Sequence, residues 1–308
     1  MTKCLIFGGN GFIGSHLAEG LVKKGYAVTV FDNFKIGRMN LDTVRDKIEI
    51  IKGNFLNESD VRNALKDVDY VFHYICTTTP ATAMKDTIYD IESNIIGSVK
   101  LFQNAVDNNV KKIIFPSSGG TIYGETTGGQ ISESYPVNPV NPYAISKLTI
   151  EKYLHYFNYV YGIDYTILRY SNPYGERQNP YGKQGVIPIF LNKIKHGEQP
   201  VIYGDGSTIR DYIYIEDAVD ATIAILEKKR DEKIFNVGSG KGTSLNELID
   251  IMSGVVSQRV VPEYIKDTGI YIPKIVLDIS RIQKVTGWKL TTELCEGINK
   301  TWEWIKTL

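Results

Sequence analysis

Two side chains that can exchange a proton with an alcohol lie four residues apart in the segment Tyr143–Lys147 (YAISK). Positions i and i+4 of a helix share one face, so the phenol and the ammonium group can point into the same cleft. A free tyrosine titrates at about pH 10 and is a poor base at neutral pH. A nearby cation stabilises the phenolate, so we expect Lys147 to lower the pKa of Tyr143. Because the chain contains 20 tyrosines, a Tyr-x-x-x-Lys pair easily arises by chance. The pair indicates catalysis only if it lies at the ligand site of a suitable fold.

A glycine-rich turn, GGNGFIG, directly follows the first predicted strand and opens the first predicted helix. In that context Gly8 permits a tight turn, and Gly11 lets backbone N–H groups approach a pyrophosphate. Gly14 allows the helix to pack closely on the strand. The spacing therefore predicts a dinucleotide site at the start of the first helix.

The acidic residue Asp32 at the end of the second predicted strand indicates which dinucleotide binds. A carboxylate at this position accepts hydrogen bonds from an adenosine ribose and repels a 2′-phosphate. The next loop carries Lys35 and Arg38, which soften that preference. The sequence predicts NAD rather than NADP.

Strands and helices alternate along the first half of the chain, which implies a parallel sheet covered on both faces. We predict an α/β fold with a doubly wound parallel (Rossmann) sheet over residues 1–170, to which segments around 205–240 return. The predicted strands are Lys3–Gly8, Ala27–Asp32, Ile48–Lys52, Tyr70–Tyr74, Lys112–Pro116 and Tyr165–Arg169. The predicted helices are Ser15–Lys24, Ser93–Asn108 and Tyr143–Tyr161.

Residues 171–308 lack the regular alternation of strands and helices that characterises the first half of the chain. The segment Ser171–Gly185 is rich in Pro, Gly, Asn and Tyr and is typical of an irregular, ligand-facing segment. We predict a smaller, mixed α/β substrate domain that closes over the C-terminal strand edges. Its predicted strands are Pro200–Tyr203, Asp211–Ile215 and Lys233–Val237, and its predicted helices lie near Glu216–Lys229, Ser244–Val256 and Thr292–Lys306.

Composition excludes several classes of protein. The 35 basic residues balance 35 acidic ones, so no global field attracts nucleic acid or anionic lipid. No run of about 18 apolar residues is long enough to span a membrane, and the N-terminus lacks the apolar region of a signal peptide. The three cysteines are scattered, which favours a reducing compartment. Since the four histidines are dispersed too, we expect a cytoplasmic protein without a bound metal.

The chain resembles the extended short-chain dehydrogenase/reductase superfamily over essentially its whole length. Within it, the chain is most similar to the NAD-dependent epimerase/dehydratase family, especially UDP-hexose 4-epimerases. The motifs that carry the resemblance are Gly8-x-x-Gly11-x-x-Gly14, Asn94-Ile95-Ile96-Gly97, Ser117–Gly124 (SSGGTIYG), Tyr143-x-x-x-Lys147, Arg169–Gly175 (RYSNPYG), Gly204-Asp205-Gly206 with Arg210–Ile213, and Asp278-Ile279-Ser280 before Gly287-Trp288.

The resemblance implies a role for individual residues. Tyr143 is the base that takes the proton of the sugar 4-hydroxyl, and Lys147 is its electrostatic partner, which also holds the nicotinamide ribose. The implied cofactor contacts are Gly8, Gly11, Phe12, Ile13, Gly14, Asp32, Asn33, Asn54, Phe55, Asn94, Tyr143 and Lys147. The implied substrate contacts are Asn172, Val186, Tyr203, Arg210 and Ile275. A guanidinium such as that of Arg210 can clamp a diphosphate with two bonds.

Two helices of the chain also resemble those that form an intersubunit four-helix bundle in this superfamily. They are Ser93–Asn108 and the helix from Tyr143 to Tyr161, on which Tyr153, Tyr156, Phe157 and Val160 provide apolar surface. The resemblance implies a homodimer, and packing of these side chains within one chain is the alternative.

At four places the sequence departs from the family pattern. The family's catalytic Ser or Thr aligns with Gly119, so Ser118 or Thr121 must substitute; Thr121 is slightly favoured because it lies on the same side of an extended strand as Gly119. Thr268 stands where the family has an arginine that binds the diphosphate. Ile275 has an intermediate size at the position that controls which hexose enters the pocket in this family. Cys76 stands where the family has a small residue. The sugar, and whether a 2-acetamido group fits, therefore stay open.

These features favour an NAD-dependent 4-epimerase of a nucleotide-activated hexose (UDP-Glc/UDP-Gal or UDP-GlcNAc/UDP-GalNAc), acting through a transient 4-keto sugar in polysaccharide or sugar-precursor metabolism. The alternative is a nucleotide 4-ketosugar reductase of the same fold. A dehydratase fits less well, because Gly120-Thr121 stands where the family's dehydratases carry Asp-Glu. A non-catalytic NAD-binding regulator is a third hypothesis.

Overall fold

Uninterrupted apolar runs form the central strands of the fold. Leu5, Ile6 and Phe7 in the first strand have no solvent exposure, as expected where a parallel sheet is covered on both faces. The computed structural model describes residues 1–35, 39–126, 128–182, 184–226, 228, 231–266 and 272–308. The strands are β1 (Lys3–Phe7), β2 (Ala27–Asp32), β3 (Ile48–Lys52), β4 (Tyr70–His73), β5 (Lys112–Ser118), β6 (Asp164–Tyr170), β7 (Asn172–Tyr174), β8 (Val201–Tyr203), β9 (Ile209–Tyr214), β10 (Ile234–Val237), β11 (Gly242–Ser244), β12 (Glu263–Ile265) and β13 (Lys274–Ile275).

The helices follow the strands closely in sequence. They are α1 (Phe12–Lys23), α2 (Glu58–Ala64), α3 (Pro80–Lys85), α4 (Thr87–Asp90), α5 (Gly97–Asp107), α6 (Pro142–Tyr161), α7 (Val186–Lys195), α8 (Ile215–Leu226), α9 (Leu245–Val255), α10 (Ser280–Thr286) and α11 (Leu294–Lys306), with a π-helix over Ile91–Ile96. The predicted helix Ser93–Asn108 is wrong at its start, because the π-helix precedes α5. None of the helices in the described ranges combines the length and the apolarity that crossing a membrane needs.

The main sheet has the strand order β10-β6-β5-β4-β1-β2-β3. Strand β1 pairs in parallel with both β2 and β4, and the pairs β2–β3 and β4–β5 are parallel too. The strand order therefore reverses between β1 and β4, where the carboxyl ends of the strands form the ligand-binding crevice of such sheets. The predicted doubly wound sheet is confirmed.

The chain divides into two compact units. The first contains Met1–Ile122, Pro139–Arg169 and Lys229–Phe235, and the second contains Tyr123–Asn138, Tyr170–Lys228 and Asn236–Leu308. The structure departs from the predicted boundaries at two places. Residues 123–138 belong to the second unit, where Ile131 bridges to Leu277 and its N–H donates to the Val276 carbonyl at 2.8 Å. The segment that returns to the first unit is Lys229–Phe235 rather than 205–240.

The second unit is built on small sheets. Strand β9 pairs with β11, β13 and β7, and β8 pairs with β12. A fully buried carboxylate, Asp211 of β9, accepts hydrogen bonds from the N–H groups of Ser239, Gly240 and Leu277 at 2.7–3.2 Å. These bonds tie β9 to the loops on either side of it and offset the cost of burying the charge. The predicted mixed α/β second domain is confirmed.

Candidate active site

The local sequence determines where the helix that carries Tyr143 and Lys147 begins. The side chain of Asn141 accepts a hydrogen bond from the Ala144 N–H at 2.9 Å, and Pro142 occupies the first helical position. Both are strong helix-start signals. Because α6 is regular from this point, Tyr143 and Lys147 lie one turn apart on the same face, as predicted.

The ammonium group of Lys147 is buried beside Tyr143. Its Nζ donates to the Pro116 carbonyl at 2.9 Å and lies 4.7 Å from the centroid of the Phe115 ring. The centroid of the Tyr143 ring is 5.7 Å from the same nitrogen. The cation is therefore held between the end of β5 and the catalytic helix by a carbonyl and two aromatic faces.

The Tyr143 phenol is buried, and burial disfavours its ionised form. Burial raises its pKa above the ordinary value, the charges of Cys76 and Asp90 add to the rise, and a hydrogen bond with Ser118 lowers it. The net shift of this pKa is therefore upward, because desolvation of the phenolate by burial is the largest effect.

Of the two hydroxyls expected to substitute for the missing Ser or Thr at Gly119, that of Ser118 interacts with Tyr143: a hydrogen bond with it lowers the pKa of the phenol. Ser118 Oγ also accepts a hydrogen bond from Thr121 Oγ1 at 2.9 Å. The expected extended geometry is wrong, since β5 ends at Ser118 and the chain turns, with the Thr121 and Ile122 N–H groups donating to the Ser118 carbonyl. Thr121 therefore supports Ser118 instead of reaching Tyr143 through an extended strand.

The side chain of Asn94 is engaged inside the protein. Its Oδ1 accepts from the Thr77 N–H at 3.0 Å, and its Nδ2 donates to Thr78 Oγ1 at 2.9 Å and to Asp90 Oδ1 at 3.0 Å. Asn94 lies in the π-helix, a rare element that is frequent at functional sites. The amide therefore fixes the loop after β4.

The glycine-rich turn has the geometry that a pyrophosphate needs. Gly8 has a φ of +80°, and a Cβ on Gly14 would lie 2.3 Å from the Gly8 carbonyl oxygen, so both positions require glycine. The N-cap of α1 is Gly11, which places no side chain on the first-turn N–H groups of Phe12 and Ile13. These amides and the helix dipole form an anion site.

The Asp32 carboxylate lies beside this turn. It is buried, and its two oxygens accept hydrogen bonds from the N–H groups of Asn10 and Phe34, both at 3.0 Å. A carboxylate has about four acceptor sites, so each oxygen keeps capacity for a ribose hydroxyl. Arg38 lies outside the described residues.

Three other implied cofactor contacts have local roles in the fold. Asn33 Oδ1 accepts from the Lys35 N–H, and Asn54 Oδ1 accepts from the Leu56 N–H. The ring of Phe55 packs in the core, 6.0 Å from the Phe7 centroid and 5.3 Å from that of His73. Its ring is therefore committed to packing within the first unit.

Three of the five implied substrate residues come together in the second unit. Asn172 in β7 pairs with Tyr212 in β9, and Ile275 in β13 pairs directly with Arg210 in β9. Arg210 Nη1 donates to the Ile209 carbonyl at 2.8 Å, burial lowers its pKa, and no carboxylate among the described residues forms an ion pair with it. A half-buried guanidinium in this state suits a phosphate.

Asn172 also has unused hydrogen-bonding capacity. Its Oδ1 is buried and finds no partner within the described part of the chain. Rotation of the amide by 180° exchanges oxygen and nitrogen, so the position can serve a hydroxyl or a phosphate oxygen. Ile275, by contrast, is fully buried in this conformation.

The two other implied substrate residues lie on other elements of the second unit. Tyr203 lies in β8, opposite Ile265 of β12, and is 59% exposed. Val186 begins α7, directly after Gly185. The position of the missing diphosphate arginine, Thr268, lies outside the described residues.

Sequence reasoning missed two buried titratable groups, one that lines a cavity with Tyr143 and one that interacts with Lys147. Asp90 is fully buried, and His73 is enclosed by Phe55, Phe102 and Phe115, where burial lowers its pKa to about 3. The only sequence feature that pointed to Asp90 was its position four residues before Asn94, on the same helix face. An acidic residue four positions from an asparagine is too common for this spacing to identify a functional residue.

Comparison with known proteins identifies the family. The model of the NAD dependent epimerase/dehydratase family matches residues 4–238. The chain belongs to this family. The family's NAD dependence agrees with the glycine-rich turn and with Asp32, so NAD is the cofactor.

Solved epimerases share the whole fold of this family member. The UDP-glucose 4-epimerase of Thermotoga maritima, solved with UDP-glucose, is 35% identical with a TM-score of 0.93, and the match covers 99% of both chains. The UDP-N-acetylglucosamine 4-epimerase of Methanobrevibacter ruminantium, solved with UDP-N-acetylmuramic acid, is 35% identical with a TM-score of 0.92 over 99% of this chain and 98% of that one. A relative with another activity, the dTDP-4-dehydro-6-deoxyglucose reductase of Escherichia coli, is 35% identical over 96% of this chain and 95% of its own length.

The substitution Asp32→Asn tests the cofactor site. It removes the charge that accepts from a ribose and repels a 2′-phosphate, so NAD should bind about 10- to 150-fold more weakly and the preference over NADP should narrow. Isothermal titration of both dinucleotides measures this. The exposed Asp46→Asn is the control and should bind as the unmodified protein does. Unchanged selectivity in Asp32→Asn contradicts the assignment.

Proposed function

We propose that this protein is an NAD-dependent 4-epimerase of a nucleotide-activated hexose, acting through a transient 4-keto sugar. The observation that carries the proposal is the arrangement around Tyr143. Its phenol is hydrogen-bonded to Ser118, and Lys147 lies beside it on the same face of α6. A phenol, a hydroxyl and a fixed cation are the groups needed to move a proton to and from a sugar hydroxyl.

The residues of the chain move one proton in each half of the reaction. Tyr143 takes the proton of the sugar 4-hydroxyl as C4 is oxidised and returns it when C4 is reduced. Ser118 donates a hydrogen bond to the reacting oxygen, and Lys147 holds the phenolate by its charge. When bound, NAD supplies the hydride acceptor and donor, and its oxidised nicotinamide supplies the positive charge that the buried phenol lacks.

The second unit provides groups suited to the nucleotide end of the substrate. Arg210 offers a guanidinium without an acidic partner among the described residues, and Asn172 offers an unused amide on a neighbouring strand. Tyr203 offers an exposed ring for a base. Epimerisation requires the 4-keto sugar to present both of its faces, so we propose that these contacts hold the nucleotide while the hexose turns.

UDP-hexoses are the proposed substrates, with UDP-Glc/UDP-Gal and UDP-GlcNAc/UDP-GalNAc both retained. The solved relatives include an epimerase of each kind at 35% identity, so overall similarity favours neither pair. We further propose that the enzyme acts in the cytoplasm, where its three free cysteines would stay reduced. Interconverting activated hexoses there supplies precursors for polysaccharide biosynthesis.

Net reduction of a 4-keto sugar is the second candidate, and the relative from Escherichia coli favours it. A reductase consumes one equivalent of reduced cofactor per turnover, whereas an epimerase regenerates its NAD. A regulator without activity would have no need to keep Ser118, Tyr143 and Lys147 in contact around one phenol.

We also propose a homodimer. Apolar side chains of α6, of α4 and of the π-helix are exposed; we define this apolar surface by Tyr153, Tyr156, Val160, Ile88 and Ile91, which are 38–65% exposed. Exposed apolar surface on neighbouring helices is typical of an interface. A second copy of this chain is the proposed occupant, because the helix from Tyr143 to Tyr161 and the predicted helix Ser93–Asn108 resemble those of an intersubunit four-helix bundle.

One residue expected at this interface packs elsewhere. Phe157 is only 3% exposed, and its ring centroid lies 5.6 Å from that of Phe102. Its ring therefore stabilises the core of the first unit.

The function is tested by incubating the protein with UDP-glucose, UDP-N-acetylglucosamine and a dTDP-4-keto sugar, resolving the stereoisomers and following absorbance of reduced cofactor. We expect one UDP-sugar to be converted to its 4-epimer without steady cofactor consumption. Tyr143→Phe should lower kcat by about 10²- to 10⁴-fold, and Tyr159→Phe, an exposed position on the same helix, should not. Steady oxidation of NADH or NADPH by the keto sugar, without epimerisation, supports the reductase.

The variants Ser118→Ala and Thr121→Val separate the two hydroxyls. Ser118 contacts the phenol, so its loss should lower kcat by about 10- to 150-fold, whereas Thr121 only orients Ser118, so its loss should cost about 2- to 13-fold. Steady-state kinetics at fixed pH measures both. A larger loss in Thr121→Val than in Ser118→Ala would mean that Thr121 is the hydroxyl that acts.

The dimer is tested with Tyr156→Asp in sedimentation velocity. A charge in the middle of the apolar surface must be desolvated on association, so the variant should sediment as a monomer at concentrations where the unmodified protein is a dimer. Tyr181→Asp places the same charge on a 70% exposed tyrosine outside this surface and should remain a dimer. A monomeric unmodified protein contradicts the proposal.

A further inference from the structure

The first unit contains a carboxylate, Asp90, that is completely buried at the end of α4. Its Oδ1 accepts hydrogen bonds from the Thr78 hydroxyl and from Asn94 Nδ2, the latter at 3.0 Å, and its Oδ2 accepts from the Ser146 hydroxyl. No cation in the described part of the chain forms an ion pair with it. Burying an unpaired charge is costly, and three hydrogen bonds offset part of that cost.

The three donors come from three segments that meet at Tyr143. Thr78 lies in the loop after β4, Asn94 lies in the π-helix, and Ser146 lies on α6 between Tyr143 and Lys147. Asp90, Asn94, Tyr143, Ser146 and Lys147 line one small cavity together with Ile75, Cys76, Phe115 and Ile150. The carboxylate therefore joins the catalytic helix to the loop and faces the same space as the phenol.

Neutral side chains could join these segments equally well. A serine or an asparagine in place of Asp90 can bond hydroxyl and amide groups without the cost of burying a charge. The carboxylate differs from them in its negative field, which is weakly screened inside a protein. Asp90 and Tyr143 line the same cavity, so the charge itself is the property that needs an explanation.

We propose that Asp90 is a positioning residue of the active site: its hydrogen bonds hold α6 against the loop after β4, and its carboxylate places a negative charge in the cavity that Tyr143 lines. This inference rests on the proposed epimerase function for its catalytic consequence. The electrostatic part does not, because it concerns two groups of this chain.

The charges around Tyr143 set the direction of the effect. Like charge disfavours the phenolate, so Asp90 raises the pKa of Tyr143, and Cys76 acts in the same direction. Lys147 is the cation on the same helix face. His73, which interacts with Lys147, has a pKa of about 3 because of its burial and stays neutral. Removing the Asp90 charge should therefore lower the pKa of Tyr143.

The test compares Asp90→Asn with Thr78→Val, both in a Cys76→Ser background so that no thiolate contributes. Asn can form hydrogen bonds with all three neighbours if the Ser146 hydroxyl accepts a hydrogen bond from the amide instead of donating one. This variant therefore removes the charge and keeps the contacts. Thr78→Val removes a contact and keeps the charge. Activity requires the phenolate, so the acid limb of kcat should shift to lower pH by about 1 unit in Asp90→Asn and stay in place in Thr78→Val, even if kcat falls.

A second measurement does not depend on turnover. The phenolate of Tyr143 is titrated by ultraviolet absorbance in the NAD-loaded protein, as the difference from the matching Tyr143→Phe variant. Asp90→Asn should shift this titration to lower pH by the same amount. If Asp90→Asn does not fold, Asp90→Ser, which also removes the charge, provides both measurements.

The outcomes separate this inference from the proposed function. A shift of the phenolate titration in a protein that epimerises none of the sugars supports the role of Asp90 and contradicts the function. The role of Asp90 is contradicted if the protein epimerises a sugar but the midpoint of the Tyr143 phenolate titration does not move in Asp90→Asn. It is also contradicted if Thr78→Val shifts this midpoint by the same amount. Either result leaves the proposed function supported.

Discussion

The structure depends on a conflict between burial and ionisation at one phenol. A base that acts on a sugar must be shielded from water, yet shielding raises the pKa of Tyr143 and keeps it protonated. Lys147 does not resolve the conflict alone, because its ammonium group is held by the Pro116 carbonyl. In the proposed reaction the oxidised nicotinamide would add a positive charge near the phenol, so proton transfer would follow the redox state of the cofactor.

The surroundings of Tyr143 are arranged to hold this balance. The Asn141 cap determines where α6 begins, and the π-helix offsets the helical register so that Asn94 and Asp90 both reach the loop after β4. Ser98 extends this network, because its hydroxyl donates to the Asn94 carbonyl at 2.5 Å and lies 2.7 Å from His73 Nε2. Side-chain networks of this kind are costly when one member is unsatisfied. Thr78, Asp90, Asn94 and Ser146 therefore hold one another in place behind the phenol.

The sequence predicted the parts of the fold that follow from local patterns. Segments rich in Val and Ile, such as Ala27–Asp32 and Ile48–Lys52, form strands with the predicted bounds, because β-branched residues favour the pleated strand conformation. The turn after Gly8 was equally predictable, since its glycines have no steric alternative. Tyr143 and Lys147 share a face because helical spacing alone places them there.

What the sequence could not show depended on tertiary contacts. The chain turns after Ser118, so the reach of Thr121 could not be judged from strand alternation. The sign of the pKa shift at Tyr143 depends on how many atoms surround the phenol, which no local pattern contains. Asp90 was overlooked because its three partners come from segments that are distant from one another in sequence, and residues 123–138 were assigned to the wrong unit for the same reason.

In the proposed mechanism, the Tyr143 phenol ionises when the positive charge of oxidised NAD joins that of Lys147. Ultraviolet titration of the phenolate, taken as the difference between the unmodified protein and Tyr143→Phe, measures this with oxidised NAD, with NADH and without dinucleotide. The account predicts a pKa well below that of free tyrosine only with oxidised NAD. The same titration curve in all three states would contradict it.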